Sequence, residues 1–343
     1  MKINKIFTSC AVFAACSFSF VSNAFTVGLA MPTQEEPKWY KEGFLLQDKL
    51  QDKGFTVDLF YAGDYDVELQ KRQITRLTDA PVDVLVVGAL DGGALTEVLK
   101  TAKSKNIPVI SYDRLLTGTD AVSYYATFDN EAVGKMQGQY IIDKLNLDST
   151  YETKNIEIFA GSLDDNNAKL FYKGAYETLK PYIDVGQLVV KSGETSIEKT
   201  TIKAWITDSA NKRMGDLISK VGYAPNGGVK LDAILSPADC LSEGTAFALN
   251  KAGYTKSTMP IITGQDAVPA AIERIREGEQ SMSVYKDSRV LCDTVVKMIQ
   301  SIQNRQEVEV NDTSSYNNGA MNVPSFLCEP MLIDVNNLNS LPN

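Results

Sequence analysis

Asp113 and Arg114 close a short apolar run, Pro108-Val109-Ile110, that reads as a buried strand. A carboxylate that only accepts beside a guanidinium that only donates suits a ligand dense in hydroxyls. Taken alone, the dipeptide reads first as a strand-end salt bridge. Three further strand ends carry the same signature: Asp239 in SPAD, Asp266 in GQD and Lys286 in YKD. Asn166 and Asn167 sit in the loop GSLDDNN, where an amide side chain both donates and accepts; neighbouring residues there must also cap the following helix. Lys38 and Trp39 open a helix after the first strand, and Trp205 lies in the polar stretch KAWITD. Either indole could stack on the C–H face of a sugar ring, although Trp39 by itself reads first as half-buried packing and Lys38 equally as a surface lysine. Asp91, in GALDGG, is a weaker candidate whose ordinary role would be to cap the next helix. Together, carboxylates, cationic donors, amides and two indoles at the ends of several strands describe a carbohydrate-binding cleft.

These residues need parallel strands to hold them, because ligands of open α/β sheets bind beyond the carboxyl ends of the strands. The expected pattern supplies them. Strands are expected over 26–30, 55–61, 82–89, 107–112 and 123–128, with helices over 39–53, 68–77, 95–103 and from 132. The run VDVLVVGA at 82–89 is nearly continuous in apolar residues, as a strand covered on both faces should be. The rhythm then restarts, with strands over 155–160, 187–191, 231–235, 259–263 and 281–285 and helices over 168–179, 210–220, 242–252, 269–277 and 290–302. Two consecutive βα series imply an α/β protein of two doubly wound parallel-sheet lobes. No Gly/Ser-rich or Pro-rich linker separates them, so crossing segments near Asp129 should join them.

Composition narrows the function. The chain of 343 residues has no histidine, which excludes Ser-His-Asp and Cys-His catalysis and His-ligated metal sites. No metal or cofactor is expected. Residues 1–24 read as a secretory signal: Lys2 and Lys5, an apolar stretch, then Ser22-Asn23-Ala24 as a cleavage site, implying a periplasmic protein. Phe13-Ala14-Ala15-Cys16 offers a rival, a lipoprotein anchored at Cys16. Loss of Lys2 and Lys5 takes the net charge from −9 to −11, which argues against nucleic acid. Cys240, Cys292 and Cys328 remain, and are expected as free thiols, although one pair could form a disulfide. A glycosidase using two of Asp113, Asp239 and Asp266 is the enzymatic alternative. The many Arg, Lys and Asn neighbours favour ionised acceptors over the raised-pKa acid such an enzyme needs.

The stretches GLAMPT, ISYDRLL, YYATFDNEAVG, GSLDDNNAKLFYKGAYETLKPYID, LSPADCLSEG, ITGQDA and VYKDSR, from Gly28 almost to the C-terminus, resemble the periplasmic monosaccharide-binding proteins of the ribose/xylose/galactose type. They are most similar to the multiple-sugar receptors and the xylose-binding proteins. That resemblance implies a type I periplasmic-binding-protein fold with three hinge segments. Its N-terminal lobe would be 25–129 plus 286–316, and its C-terminal lobe 130–285 plus 317–343. It also implies a non-enzymatic monomer that closes on an aldopyranose such as xylose, glucose, galactose or arabinose. The sugar would pass to an ABC-type permease, and the closed form would be able to signal to a chemoreceptor or sensor kinase. The ligand residues implied are Lys38, Trp39, Asp113, Arg114, Asn166, Asn167, Trp205, Asp239, Asp266 and Lys286. One departure stands out: the multiple-sugar receptors carry Arg-Trp where this chain has Lys38-Trp39, a point charge in place of a bidentate fork.

Overall fold

The computed structural model describes residues 25–63 and 66–341; the signal-sequence and Cys16 readings lie outside the described residues. The first series runs β1 (Thr26–Met31), α1 (Pro37–Asp52), β2 (Thr56–Tyr61), α2 (Val67–Asp79), β3 (Val84–Val87), α3 (Thr96–Ser104), β4 (Val109–Tyr112) and β5 (Tyr124–Phe128). The second runs α4 (Asn130–Leu145), β6 (Lys154–Ile158), α5 (Asn166–Asp184), β7 (Leu188–Val190), a single turn α6 (Ile197–Thr200), α7 (Thr207–Val221), β8 (Ala233–Leu235), α8 (Asp239–Lys251), β9 (Ile261–Ile262), α9 (Pro269–Glu277) and β10 (Met282–Tyr285). The chain closes with α10 (Ser288–Gln303), β11 (Ser325–Cys328) and β12 (Met331–Asp334).

The first lobe is a six-stranded sheet in the order β11-β5-β4-β3-β1-β2, parallel at every pairing. The four residues of β3 are wholly buried, because apolar clusters cover both faces. The second lobe has the parallel order β7-β6-β8-β9, extended by a bridge from Gln265 to Val284 of β10, which pairs antiparallel with β12. Here too an apolar cluster lies on each face. α4 and α5 pack backbone to backbone: a Cβ on Gly174 would lie 2.2 Å from the Glu131 carbonyl oxygen, so only glycine permits that contact.

Among the described residues the chain passes between lobes three times, after β5, after β10 and after β11. The expected division after residue 316 needs correction. The first lobe continues through Cys328: Tyr316 and Val323 are buried in its core, Asn318 donates to the carbonyls of Leu116 and Thr119, and β11 pairs with β5. Only β12 and the residues after it return to the second lobe.

Candidate functional site

The carboxyl ends of both sheets face one cavity of about 70 Å³ between the lobes. It has room for roughly five to seven water-sized groups at about 10–15 Å³ each, the scale of one small polyol. A larger surface depression of about 400 Å³ lies between α2 and α3, but Lys71 there is already paired with Glu68 and Lys100 with Glu97.

The first-lobe wall is built on β4. Asp113 leaves that strand with φ 58°, a left-handed conformation unusual for a residue other than glycine. Its own carbonyl compensates, accepting from Tyr125 Oη at 2.5 Å, Thr127 Oγ1 at 3.0 Å and Asn167 Nδ2 at 2.8 Å. This fixes where the carboxylate points. Lys38, in the first turn of α1, donates to Asp113 Oδ2 at 2.6 Å and lies 3.8 Å from Asp266 Oδ1 in the other lobe. Arg114 does not pair with Asp113. Its Nε lies 3.3 Å from Asp165 Oδ2, and its Nη1 reaches the carbonyls of Ala89 and Leu90. The strand-end salt bridge is therefore not the role of this dipeptide: each side chain faces the second lobe's wall or the cavity.

That second wall stands on loops. Asp165 caps α5 by accepting from Asn167 N at 2.9 Å, and Asn167 in turn reaches Asp113. Trp205 sits in a tight turn where Ala204 and Trp205 both have positive φ, 53° and 57°. Its ring rests on Gly161, where a Cβ would meet the indole at 2.0 Å, and it meets Phe171 edge to face at 6.4 Å. Asp266, φ 90°, pairs with Lys286 Nζ at 3.1 Å.

The electrostatics are nearly balanced. Lys38, Arg114 and Lys286 face Glu36, Asp113, Asp165 and Asp266 around the cavity. Burial works against the charge of Asp113, but Lys38 and Lys286 outweigh it and hold the carboxyl at about 2. Asp266 follows the same logic: burial opposes ionisation, and Lys286 and Lys38 overcome it. Burial raises Asp165, offset only in part by Arg114. Burial would also strip Lys38 of its proton, yet Asp113, Asp266 and the buried Glu42 keep it firmly charged. Against this ring stand three buried polar atoms with no partner in the protein: Nε1 of Trp39, Nε1 of Trp205 and Oε1 of Gln265. Two donors and an acceptor left bare at one cavity ask for groups that do both, which is the property of a hydroxyl.

Of the expected residues, Lys38, Trp39, Asp113, Arg114, Asn167, Trp205, Asp266 and Lys286 line the cavity. Asn166, Asp91 and Asp239 do not. Asp91 caps the turn before α3 through Gly93 N and Ala94 N. Asp239 is 1% exposed and turned inward. Gln280 Nε2 and Ser283 Oγ donate to its Oδ1, and Val268 N donates to its Oδ2. Burial and the charge of Asp266 push its pKa up to about 7, against the pull of those three donors. The sequence reading missed Glu36, Asp165, Phe171, Ala238, Cys240 and Gln265 as lining residues. Phe171 was accessible in principle: it lies four residues beyond Asn167 on α5 and so shares its face. Cys240, Cys292 and Cys328 are all free thiols.

Two α/β lobes with a polar cavity at their facing strand ends define a ligand-capturing cleft protein. The family described as periplasmic binding protein domain matches residues 27–307, and the chain belongs to it. It is 43% identical to the multiple sugar-binding periplasmic protein of Azospirillum brasilense over 91% of this chain and 86% of that one. It is 32% identical to the D-xylose-binding periplasmic protein of Escherichia coli over 98% and 96%. An ABC transporter solute-binding protein from Clostridium phytofermentans, solved with bound β-D-glucose, superposes with a TM-score of 0.87 at 45% identity, covering 92% of this chain and 95% of its own.

Proposed function

We propose that this protein is a periplasmic sugar receptor that takes one neutral aldopyranose between its lobes and hands it to an ABC-type permease. The observation that carries this reading is the set of three partnerless buried polar atoms inside a nearly charge-balanced ring. An anionic ligand would add to the ring's one excess negative charge, and an apolar one would leave the donors and the acceptor unmet. In this reading Asp113 and Asp266 accept from sugar hydroxyls, Lys38, Arg114, Lys286, Asn167 and the indole N–H groups of Trp39 and Trp205 donate, and the indoles wall the site around the sugar. The closed state is favoured because both walls touch the sugar only then. The protein does no chemistry on its ligand: Lys38 holds Asp113 ionised, Lys286 with Lys38 holds Asp266 ionised, and Asp239 lies outside the cavity. Export would remove residues 1–24 after Ala24; anchoring at Cys16 would instead leave the receptor tethered to the membrane. Signalling to a chemoreceptor or sensor kinase would use the same closed form.

A melting-temperature screen against D-glucose, D-xylose, D-galactose and L-arabinose tests the reading. A ligand at about 100 times its Kd should add about 2.7 kcal/mol to the folded state, which for a chain of this size raises Tm by a few degrees. No rise with any monosaccharide, or release of aglycone from an aryl glycoside, would overturn it.

A further inference from the structure

Apart from Phe171, which packs beside Trp205, the cavity wall carries hydrogen-bonding side chains except at one corner. Ala238 and Cys240, where α8 begins, line the cavity with a methyl group and a thiol. Cys240 packs against the same apolar cluster as Trp205. Burial, then the charges of Asp266, Asp239 and Glu36, hold the thiol protonated, so it presents a small, soft, weakly polar surface. Next to it lies Gln265, 3% exposed, with the amide oxygen that lacks a partner. The two segments are tied together, since the Gln265 carbonyl accepts from Asp239 N at 3.0 Å. This side of the cavity thus offers one acceptor beside an apolar notch.

An aldopyranose has one edge that matches. Its hydroxyls run along C1 to C4, while the edge of C5 and the ring oxygen carries no hydroxyl on the ring itself. C5 bears two hydrogens in a pentopyranose and a CH2OH group in a hexopyranose. Resting on the sugar-receptor reading, we propose that Ala238 and Cys240 hold the C5 edge, that Gln265 accepts a hydroxyl flanking it, and that the size of residue 240 decides whether a hexose fits as well as a pentose. The assignment is chemical: beside the aromatic side chains the rest of the wall offers charged and amide groups that suit hydroxyls, and a CH2 group put against Asp113 or Lys286 would forgo their hydrogen bonds.

Calorimetric titration of the protein with D-glucose and D-xylose tests this with Cys240→Val and Cys240→Met. Filling the notch should lower the ratio of glucose affinity to xylose affinity at least tenfold in Cys240→Met and by a smaller factor in Cys240→Val. That is the size of effect expected where a pocket discriminates by one carbon, about 10–200-fold. If Cys240→Met does not fold, the ratio in Cys240→Val decides alone. Equal losses for the two sugars, or an unchanged ratio, would overturn the assignment. An unaltered protein that binds other monosaccharides but neither of these overturns the assignment and spares the receptor reading; one that binds no monosaccharide overturns both.

Discussion

The two walls of the cleft are built on opposite plans. The first-lobe wall grows from the end of a central, fully buried strand, and its strained residue, Asp113, is pinned by three hydrogen bonds to its own carbonyl. It contributes the cations Lys38 and Arg114. The second-lobe wall is made of loops, with positive φ at Ala204, Trp205, Asp266 and Ala267, and contributes the carboxylates Asp165 and Asp266. Lys38 faces Asp266 at 3.8 Å and Arg114 faces Asp165 at 3.3 Å, so two ion pairs cross the cavity before any ligand is considered. Strained backbone gathers where a site must be held in shape, and here it sits on both sides of the cavity. One wall takes its shape from a strand end and its hydrogen bonds, the other from turns in the left-handed region.

Damage to the strand-end wall should cost most. Asp113→Ala removes the nearest partner of Lys38 and one acceptor for Asn167, leaving Lys38 with Asp266 at 3.8 Å. Sugar affinity should fall about 100-fold, or about 2.7 kcal/mol, when measured by calorimetry; a loss under threefold would show that the wall does not depend on it. Trp205→Ala, on the loop wall, should cost about tenfold in affinity with a fall in unliganded Tm of only a few degrees. Equal affinity would end its role as a platform. Arg114→Lys keeps the charge but loses the fork that spans Asp165 and the carbonyls of Ala89 and Leu90, and should weaken binding about fivefold.

The smallest effect distinguishes the acids by pH. Asp113, held at about 2, stabilises the fold above its ordinary value near 3.8 and loses that contribution as pH falls toward 2. Asp239, raised to about 7, behaves in the opposite sense: its contribution is complete below 3.8 and disappears as pH rises through 7. Asp239→Asn should therefore flatten the dependence of melting temperature on pH between about 4 and 7, whereas an unchanged slope would place that titration elsewhere.

Much of this was legible in the residues because strand ends in parallel sheets are marked twice, by the loss of β-branched character and by the arrival of charge. That double mark located β4 with Asp113 and Arg114, and β10 with Lys286. It failed at Asp239, where the strand-end position was right but the side chain turned inward to Gln280 and Ser283, partners more than 40 residues away. Asp165 hid behind its cap, one carboxylate serving both a helix terminus and Arg114. The terminal strands were unreadable for a different reason: β11 and β12 have four residues each and are two residues apart, yet they belong to different sheets. Only pairing partners far back in the chain, Tyr125 to Phe128 and Met282 to Tyr285, decide that division.

The same division bears on how the molecule is made. The outer strand beside β5 is supplied by residues 325–328, so the first sheet stays one strand short until almost the whole chain has been synthesised. A lobe begun at residue 26 and finished at residue 328 must close strand contacts such as Ser325 with Tyr125 across most of the chain, and such non-local contacts slow folding. A chain emerging from its N-terminus thus remains unfinished while it is still being elongated, with an open sheet edge at β5 that only its own last segment is shaped to close.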